Sequence, residues 1–496
     1  MINDFLLYRN SAARSLPQSG EVGGGFGGSL SASYARSDGY SRSREGRLNT
    51  GYSGTKAFCQ GAYDASGVHV GWHLGLSDRG WGSGTFYATP RWQADEQYEH
   101  TTKLFAALQA STSVLRASSS AFNLQTSLYW QQDFDRYEGY HNRPELMPYN
   151  YNRCNIYGLK VNGYFDSPLG RTAVGAELRN EDLVSGNLGE PLSQPHHIGG
   201  TDRDYTLGID RTNISAHLEH NVLLRRVTIS AGFVAAKSSW SDMNMTVYPG
   251  IDISYRVPLT SQPSPLTSLR LFAGWNTSLR LPSFTEMYYR LQGYAADPHL
   301  KPEEMQAFEL GAQLAAPVVQ AKATVFHHRG RNMIDWMMDT SLGDDARWQS
   351  VNHTRINATG VEVSSRLSVH NMQFAASYGY IYQDKVAEAG VVSQYAMEYL
   401  RHKLVATVQT PVWRRLDARL GVRWQDRVGT YTTFEGETRS YRPYALMDAR
   451  LSWNAPRYSI YTEVNNLLNN RSYTDFGNVP QPGVWFVVGL TAIYWK

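Results

Sequence analysis

Two pairs of adjacent histidines, His196 with His197 and His327 with His328, are the residues of this chain most readily imagined as metal ligands. On a strand, neighbouring side chains point to opposite faces, so neither pair offers two imidazoles to one ion. The acids of "TDRDYTLGID", residues 201 to 210, supply the oxygen donors that calcium takes, but their spacing is looser than a calcium loop demands. Cys59 and Cys154 stand far apart with no CxxC spacing and read as two ordinary thiols, a long-range disulfide in an oxidising compartment being the alternative. The glycine-rich run "GEVGGGFGG", residues 20 to 28, is followed by no helical pattern and reads as a strand entry rather than a phosphate cradle. No GxSxG, HExxH, Walker or dinucleotide motif sits in a suitable setting. The expectation is a protein that is not an enzyme, with no metal site and no cofactor.

The elements that would carry any site are strands. Of the 496 residues only 18% are charged, whereas 12% are aromatic, with 32 Tyr, 13 Trp and 43 Gly, a mixture that suits strands and tight turns. A formal charge of +3 without any basic run interleaved with aromatics argues against nucleic acid as a partner. No apolar run reaches the roughly 18 to 20 residues of a membrane-spanning helix, a test that a β-barrel passes unseen because its strands hide half their side chains from lipid. The opening "MINDFLLYRNSAARSLPQSG" has an acid at Asp4 and only a short apolar patch, so it does not read as a signal peptide. Either the protein is cytoplasmic or the chain lacks its true beginning.

Alternation of apolar and polar residues recurs along most of the chain. "AFNLQTSLYW" sets Phe122, Leu124, Leu128 and Trp130 against Asn123, Gln125, Ser127 and Tyr129, and "RLDARLGVRWQ" sets Leu416, Ala418, Leu420, Val422 and Trp424 against Asp417, Arg419, Arg423 and Gln425. About twenty such strands can be counted. Their joints alternate in length: short ones such as 65–67, 117–120, 166–170, 315–318, 369–371 and 454–457 separate long polar ones at 131–150, 182–204, 281–304, 330–350, 426–443 and 469–483. Short turns on one rim and long loops on the other are the pattern of an outer-membrane barrel. The fold class expected is therefore all-β, a large antiparallel transmembrane β-barrel of about 20 to 22 strands, with residues 1–28 as a truncated lead-in and 29–496 as the barrel. Charged strand positions such as Glu177, Arg179, Glu309, Glu362, Arg419 and Glu463 need water or a polar partner inside it. The last strand, "VWFVVGLTAIYWK", has one continuous apolar face and ends in aromatics suited to a membrane interface.

Residues 280–310, "RLPSFTEMYYRLQGYAADPHLKPEEMQAFEL", then carry a resemblance. They are similar to the TonB-dependent outer-membrane receptors, with Arg280, Pro282, Glu286, Tyr288, Gly293, Pro298, Leu300, Lys301, Pro302, Glu303, Glu309, Leu310 and Gly311 at the matching positions and Asp297 where the family usually has Asn. "EVNNLLNNRSYTDFGNVPQPGVWFVVGL" resembles the family's terminal hairpin, and "YFDSPLGRTAVGAELRNEDLVSGNLG" resembles a hairpin of cobalamin-type, Bacteroides-like receptors. The resemblance implies an outer-membrane location in a Gram-negative bacterium and active uptake of a bulky, scarce ligand: an iron chelate such as a siderophore, cobalamin or a glycan. It also implies two protein partners, a plug domain in the lumen and the TonB complex that energises it. The family's plug precedes its barrel, whereas only about 25 residues precede the first clear strand here, so the expectation is a fragment, an internal start or a split gene, not competent for coupled transport alone. The alternatives are a passive outer-membrane channel and an uncoupled surface receptor.

Long external loops and the upper lumen are where such a ligand would be held. Tyr137, Tyr140, Tyr149, Tyr151, Trp336 and Trp348 are the aromatic candidates, able to stack on a macrocycle or sugar and equally able to anchor loops at the membrane interface. Arg280 and Glu286, where the strand breaks at Pro282, are expected to stay near the lumen and to face a plug.

Overall fold

A computed structural model describes residues 9–10, 25–39, 49–65, 67–83, 96–117, 120–240, 243–258, 267–290, 293–385, 391–393, 399–433, 437–474 and 481–492. One sheet of 24 strands, antiparallel but for the pairing of one two-residue strand, dominates it. Twenty of them, from Gly25–Ser37 to Trp485–Ala492, pair consecutively as a barrel wall, which agrees with the expected number. The two-residue strand Arg9–Asn10 adds to the outer edge of Gly25–Ser37, and that strand begins within the glycine-rich run. The rest of residues 1–24 lies outside the described residues.

Lipid explains the side chains that the wall leaves bare. Leu128, Leu159, Leu178 and Ile214 are register partners in a row across four strands, and each is 39% or more exposed. One residue further along lies the row Tyr129, Gly158, Arg179 and Asn213, polar apart from its glycine. An apolar surface this continuous is unfavourable in water and favourable against acyl chains, so the first row faces the membrane and the second the lumen. On Ser120–Glu138 the outward apolar set runs from Phe122 to Trp130 and gives way to Gln132; on the paired strand it runs from Phe165 to Tyr157 and gives way to Asn155. That span matches the roughly 9 to 11 residues a tilted strand needs to cross a bilayer.

The wall rises further than the alternation indicates. Residues 131–138, 182–185 and 330–339, expected in loops, continue the ladders of Ser120–Glu138, Gly170–Ser185 and Val319–Asp339. Above the apolar band the outward positions meet water and turn polar, which erases the sequence pattern, while backbone pairing goes on unaffected. The expected loop 182–204 also contains a strand, Glu190–His197, paired with the start of Asp204–Leu223. There His197 faces Asp204, with Nδ1 and Oδ1 3.2 Å apart. Cys59 and Cys154 both carry free thiols.

On the inner surface a glycine allows close cross-strand packing. The Tyr129 ring lies over Gly158, where a Cβ would collide with it, and the Tyr129 hydroxyl donates to Glu177 Oε1 at 2.7 Å. Tyrosine thus bridges three strands over one residue without a side chain.

Candidate functional site in the barrel mouth

The irregular stretch after Arg280 folds back into the barrel. Pro282 has no N–H for the ladder, and Ser283 starts a new element: its Oγ accepts from the Glu286 N–H at 3.2 Å, while Glu286 Oε2 accepts from the Ser283 N–H at 2.7 Å. This reciprocal cap opens the one-turn helix Phe284–Tyr288, closed by the Tyr289 N–H on Thr285 O. A five-residue helix does not persist alone, so tertiary contacts must hold it. Met287, with no exposed surface, and Tyr288 pack with Leu300 against Leu183 and Leu188, and Cys154, Ile209 and Ile334 close the cluster. Leu183, Cys154 and Ile209 occupy inward positions of three wall strands, which places the helix inside the mouth.

The second half of the segment is sewn to another wall strand, Trp348–Val369. Gly293, at φ +88, turns the chain so that Tyr294–Ala295 runs parallel to Trp348–Gln349, with the Trp348 N–H donating to Gly293 O at 2.9 Å. The Asp297 N–H donates to Ser350 Oγ at 2.7 Å, and the Lys301 N–H donates to Asn352 Oδ1 at 2.7 Å, with Asn352 Nδ2 returning a bond to Lys301 O at 2.9 Å. Residues 281–290 and 293–302 therefore bridge part of the mouth.

Charge ties this bridge to the wall. Arg280 holds Glu303 through two bonds of 2.6 Å and Glu286 through two of 3.0 Å. Arg211, nearly buried, donates to Glu181 Oε2 at 2.6 Å and to Pro282 O at 2.7 Å, with its guanidinium 4.6 Å from the Phe284 ring centre. Glu303 Oε1 also accepts from the Ile334 N–H at 2.8 Å. Every carboxylate of the network is engaged, the condition under which a partly buried ion pair is tolerated.

Glu286 feels two opposing influences. Burial pushes its carboxyl up, but the bonds from Arg280 and from Ser283 outweigh it and hold the group below its ordinary 4.5. A depressed carboxyl stabilises the folded turn above its ordinary range and loses that contribution as pH falls through the folded value. Amide exchange at Glu286, Met287 and Tyr289 should therefore be equally slow between pH 7 and 5 once corrected for intrinsic rate. Below about 4.5 protection should decline, and in Glu286→Gln it should be weaker and flat with pH. A wild-type profile without that decline would contradict the arrangement.

A family model described as TonB dependent receptor-like, beta-barrel matches residues 9–467. The chain belongs to the TonB-dependent receptors. No curated protein matches it. Among solved structures, the siderophore receptor PirA from Acinetobacter baumannii is similar at 14% identity and TM-score 0.70, over 94% of this chain and 75% of that one. A mutant of the ferric enterobactin receptor PfeA from Pseudomonas aeruginosa gives 15% and 0.70 over the same shares, and the copper transporter OprC gives 12% and 0.68 over 93% and 75%. At such identities these likenesses speak for the fold alone.

Within this TonB-dependent receptor barrel the aromatic candidates separate into groups. Trp336, 5% exposed, meets Tyr289 and Tyr294 edge to face with ring centres 6.4 and 5.4 Å apart, and burial with the neighbouring Tyr294 pushes the Tyr289 hydroxyl up to about 12. Tyr137 occupies an inward position at the strand top, its hydroxyl donating to the buried Gln97 at 3.0 Å. Trp348 is half-buried beside the bridge, and Tyr140 lies in the external loop with the Arg143 guanidinium 5.4 Å from its ring. Tyr149 and Tyr151 are elsewhere: Tyr151 is buried with Val184, Ile198 and Tyr205 in a second cluster on the outward side, and Tyr149 packs on it. Arg280 and Glu286 come together at the inner rim. Sequence reasoning misses Arg211, Glu181 and Met287; Arg211 sits at a polar position of an alternating strand, but nothing local links it to a loop seventy-one residues away.

Proposed function

We propose that this chain forms the wall of an outer-membrane uptake receptor for a bulky, scarce ligand, with an iron chelate, cobalamin or a glycan as the chemical classes. The observation that supports it is the bridge of residues 281–290 and 293–302, which narrows the external mouth above a polar lumen as a specific receptor requires. Two of the proteins that share its fold are siderophore receptors, so the iron chelate is the first class to try. A plug seated in the lumen and engagement of the TonB complex belong to the same reading, with residues 29–496 as the barrel domain and Gly25–Gly28 joined to it as the start of its first strand. Tyr137, Tyr140 and Trp348 are assigned to the ligand; Tyr149, Tyr151 and Trp336 support the loops.

Cells carrying the chain in their outer membrane should bind one of three labelled probes, ferric enterobactin, cyanocobalamin or a maltooligosaccharide, saturably. Tyr137→Ala with Tyr140→Ala should weaken that binding about tenfold, the loss expected for one or two aromatic contacts. Absence of saturable binding for all three classes would contradict the reading.

A further inference from the structure

The inner face of Leu416–Val428 has no counterpart elsewhere on the described wall. Its inward positions are Asp417, Arg419, Gly421, Arg423, Gln425 and Arg427, as the outward partners Leu404 with Trp424 and Ala406 with Val422 require. Three guanidinium groups thus recur every fourth residue, about 14 Å apart, over about 27 Å, close to the thickness of the bilayer. Lys403, in register with Gln425 on the neighbouring strand, adds a fourth cation between Arg423 and Arg427.

These cations are available. Among the described residues, Arg419, Arg423 and Lys403 have neither an ion-pair nor a hydrogen-bond partner. Arg427 only stacks near Tyr441, at 5.7 Å, with its Nε out of solvent and unbonded. Three carboxylates nearby are engaged: Asp417 accepts from Asn454 at 2.6 Å, Asp448 accepts from the Asn466 N–H at 2.8 Å, and Glu463 lies 3.6 Å from Arg450; Glu362 stands across Gly379 from Lys403, two strands away. Two glycines keep the surface open. A Cβ on Gly421 would meet only Thr407 Cγ2 at 3.8 Å and Asp448 O at 4.0 Å, and one on Gly379, the register partner of Lys403, would meet nothing. Other inner-wall cations do find carboxylates, Lys103 meeting Asp133 across strands at 3.1 Å and Arg179 meeting Glu181 along its own strand at 2.8 Å. Like charges along one strand repel each other, a cost that a visiting anion relieves.

We propose that Arg419, Arg423, Arg427 and Lys403 form a lane on the barrel's inner wall that binds and passes ligands bearing carboxylate or phosphate groups. Guanidinium groups suit both by forked donation, and steps of about 14 Å let a ligand with two acidic ends hold one rung while reaching the next. The lane deepens the uptake reading and rests on it for its biological role, although its test does not.

The test is the reversal potential of the full 496-residue chain in a planar bilayer under a tenfold potassium chloride gradient. Wild type should prefer chloride over potassium by about threefold or more, and millimolar inorganic phosphate should reduce the chloride current. Arg419→Gln with Arg423→Gln and Arg427→Gln should bring the ratio close to one and weaken the phosphate effect about tenfold, whereas the three Arg→Lys changes should preserve both. A wild-type preference for potassium, a ratio unmoved in the glutamine variant, or a barrel that passes no current would overturn the lane. A ratio unmoved in that variant would leave the stripe as a seat for an acidic protein surface. Loss of surface ligand binding with chloride preference intact would count against the uptake reading alone, and the reverse against the lane alone.

Discussion

Met287→Ala should release the bridge of residues 281–290 and 293–302 from the inner wall while leaving the barrel intact. Among the described residues Met287 is the largest side chain with no exposed surface, and its helix is too short to survive without that contact. Truncating a buried Met to Ala costs about 2 to 5 kcal/mol, here charged to a local opening rather than to the wall. Hydrogen exchange should register this as a rise of about thirtyfold or more at the amides of Met287, Tyr289 and Ala296, which bond to Ser283, Thr285 and Tyr289. Amides of the wall ladder, such as Leu159 paired with Leu178, should not change. Equal acceleration in bridge and wall would mean that the two are not separate units.

Arg211→Met should be nearly as costly, by a different route. The substitution keeps most of the volume but strips Glu181 of its principal partner and the Pro282 carbonyl of its donor. Removing one member of a buried pair costs about 3 to 5 kcal/mol. The lower end is expected, because Arg179 at 2.8 Å and Asn213 at 3.2 Å still reach Glu181. Adding Glu181→Leu removes the stranded charge, so the double variant should be more stable than Arg211→Met alone. Thermal unfolding in detergent micelles reads the order of the three midpoints: wild type, then double, then single. A double variant falling below the single would contradict a stranded charge at Glu181 as the main source of the loss.

Strands were legible wherever one face meets lipid. Alternation marks Ser268–Arg280 and Leu416–Val428 almost to their ends because membrane and lumen impose opposite demands on successive residues. It fails above the band, where Tyr137 and Trp336 lie on strands that read as loops. The stretch after Arg280 looked irregular because its residues answer to a reciprocal cap and to the inner wall, neither of which has a period of two. The residue-by-residue resemblance marks that stretch where alternation does not. Partners distant in sequence were the part that could not be read: Arg211 with Pro282 and Asn352 with Lys301 meet only when the wall curves them together. The side to which Tyr149 and Tyr151 turn was equally hidden, since a register shift between Tyr205 and Leu207 sets the packing around them.

Spin labels placed singly from 122 to 138 test the central claim most directly, that this wall crosses a membrane and continues above it. Even-numbered positions from 122 to 130 should be reached by oxygen dissolved in lipid and odd-numbered ones by a water-soluble nickel complex, and from 132 upward the oxygen preference should vanish. Uniform access to the nickel complex along the whole stretch, or lipid access that continues to 138, would contradict it.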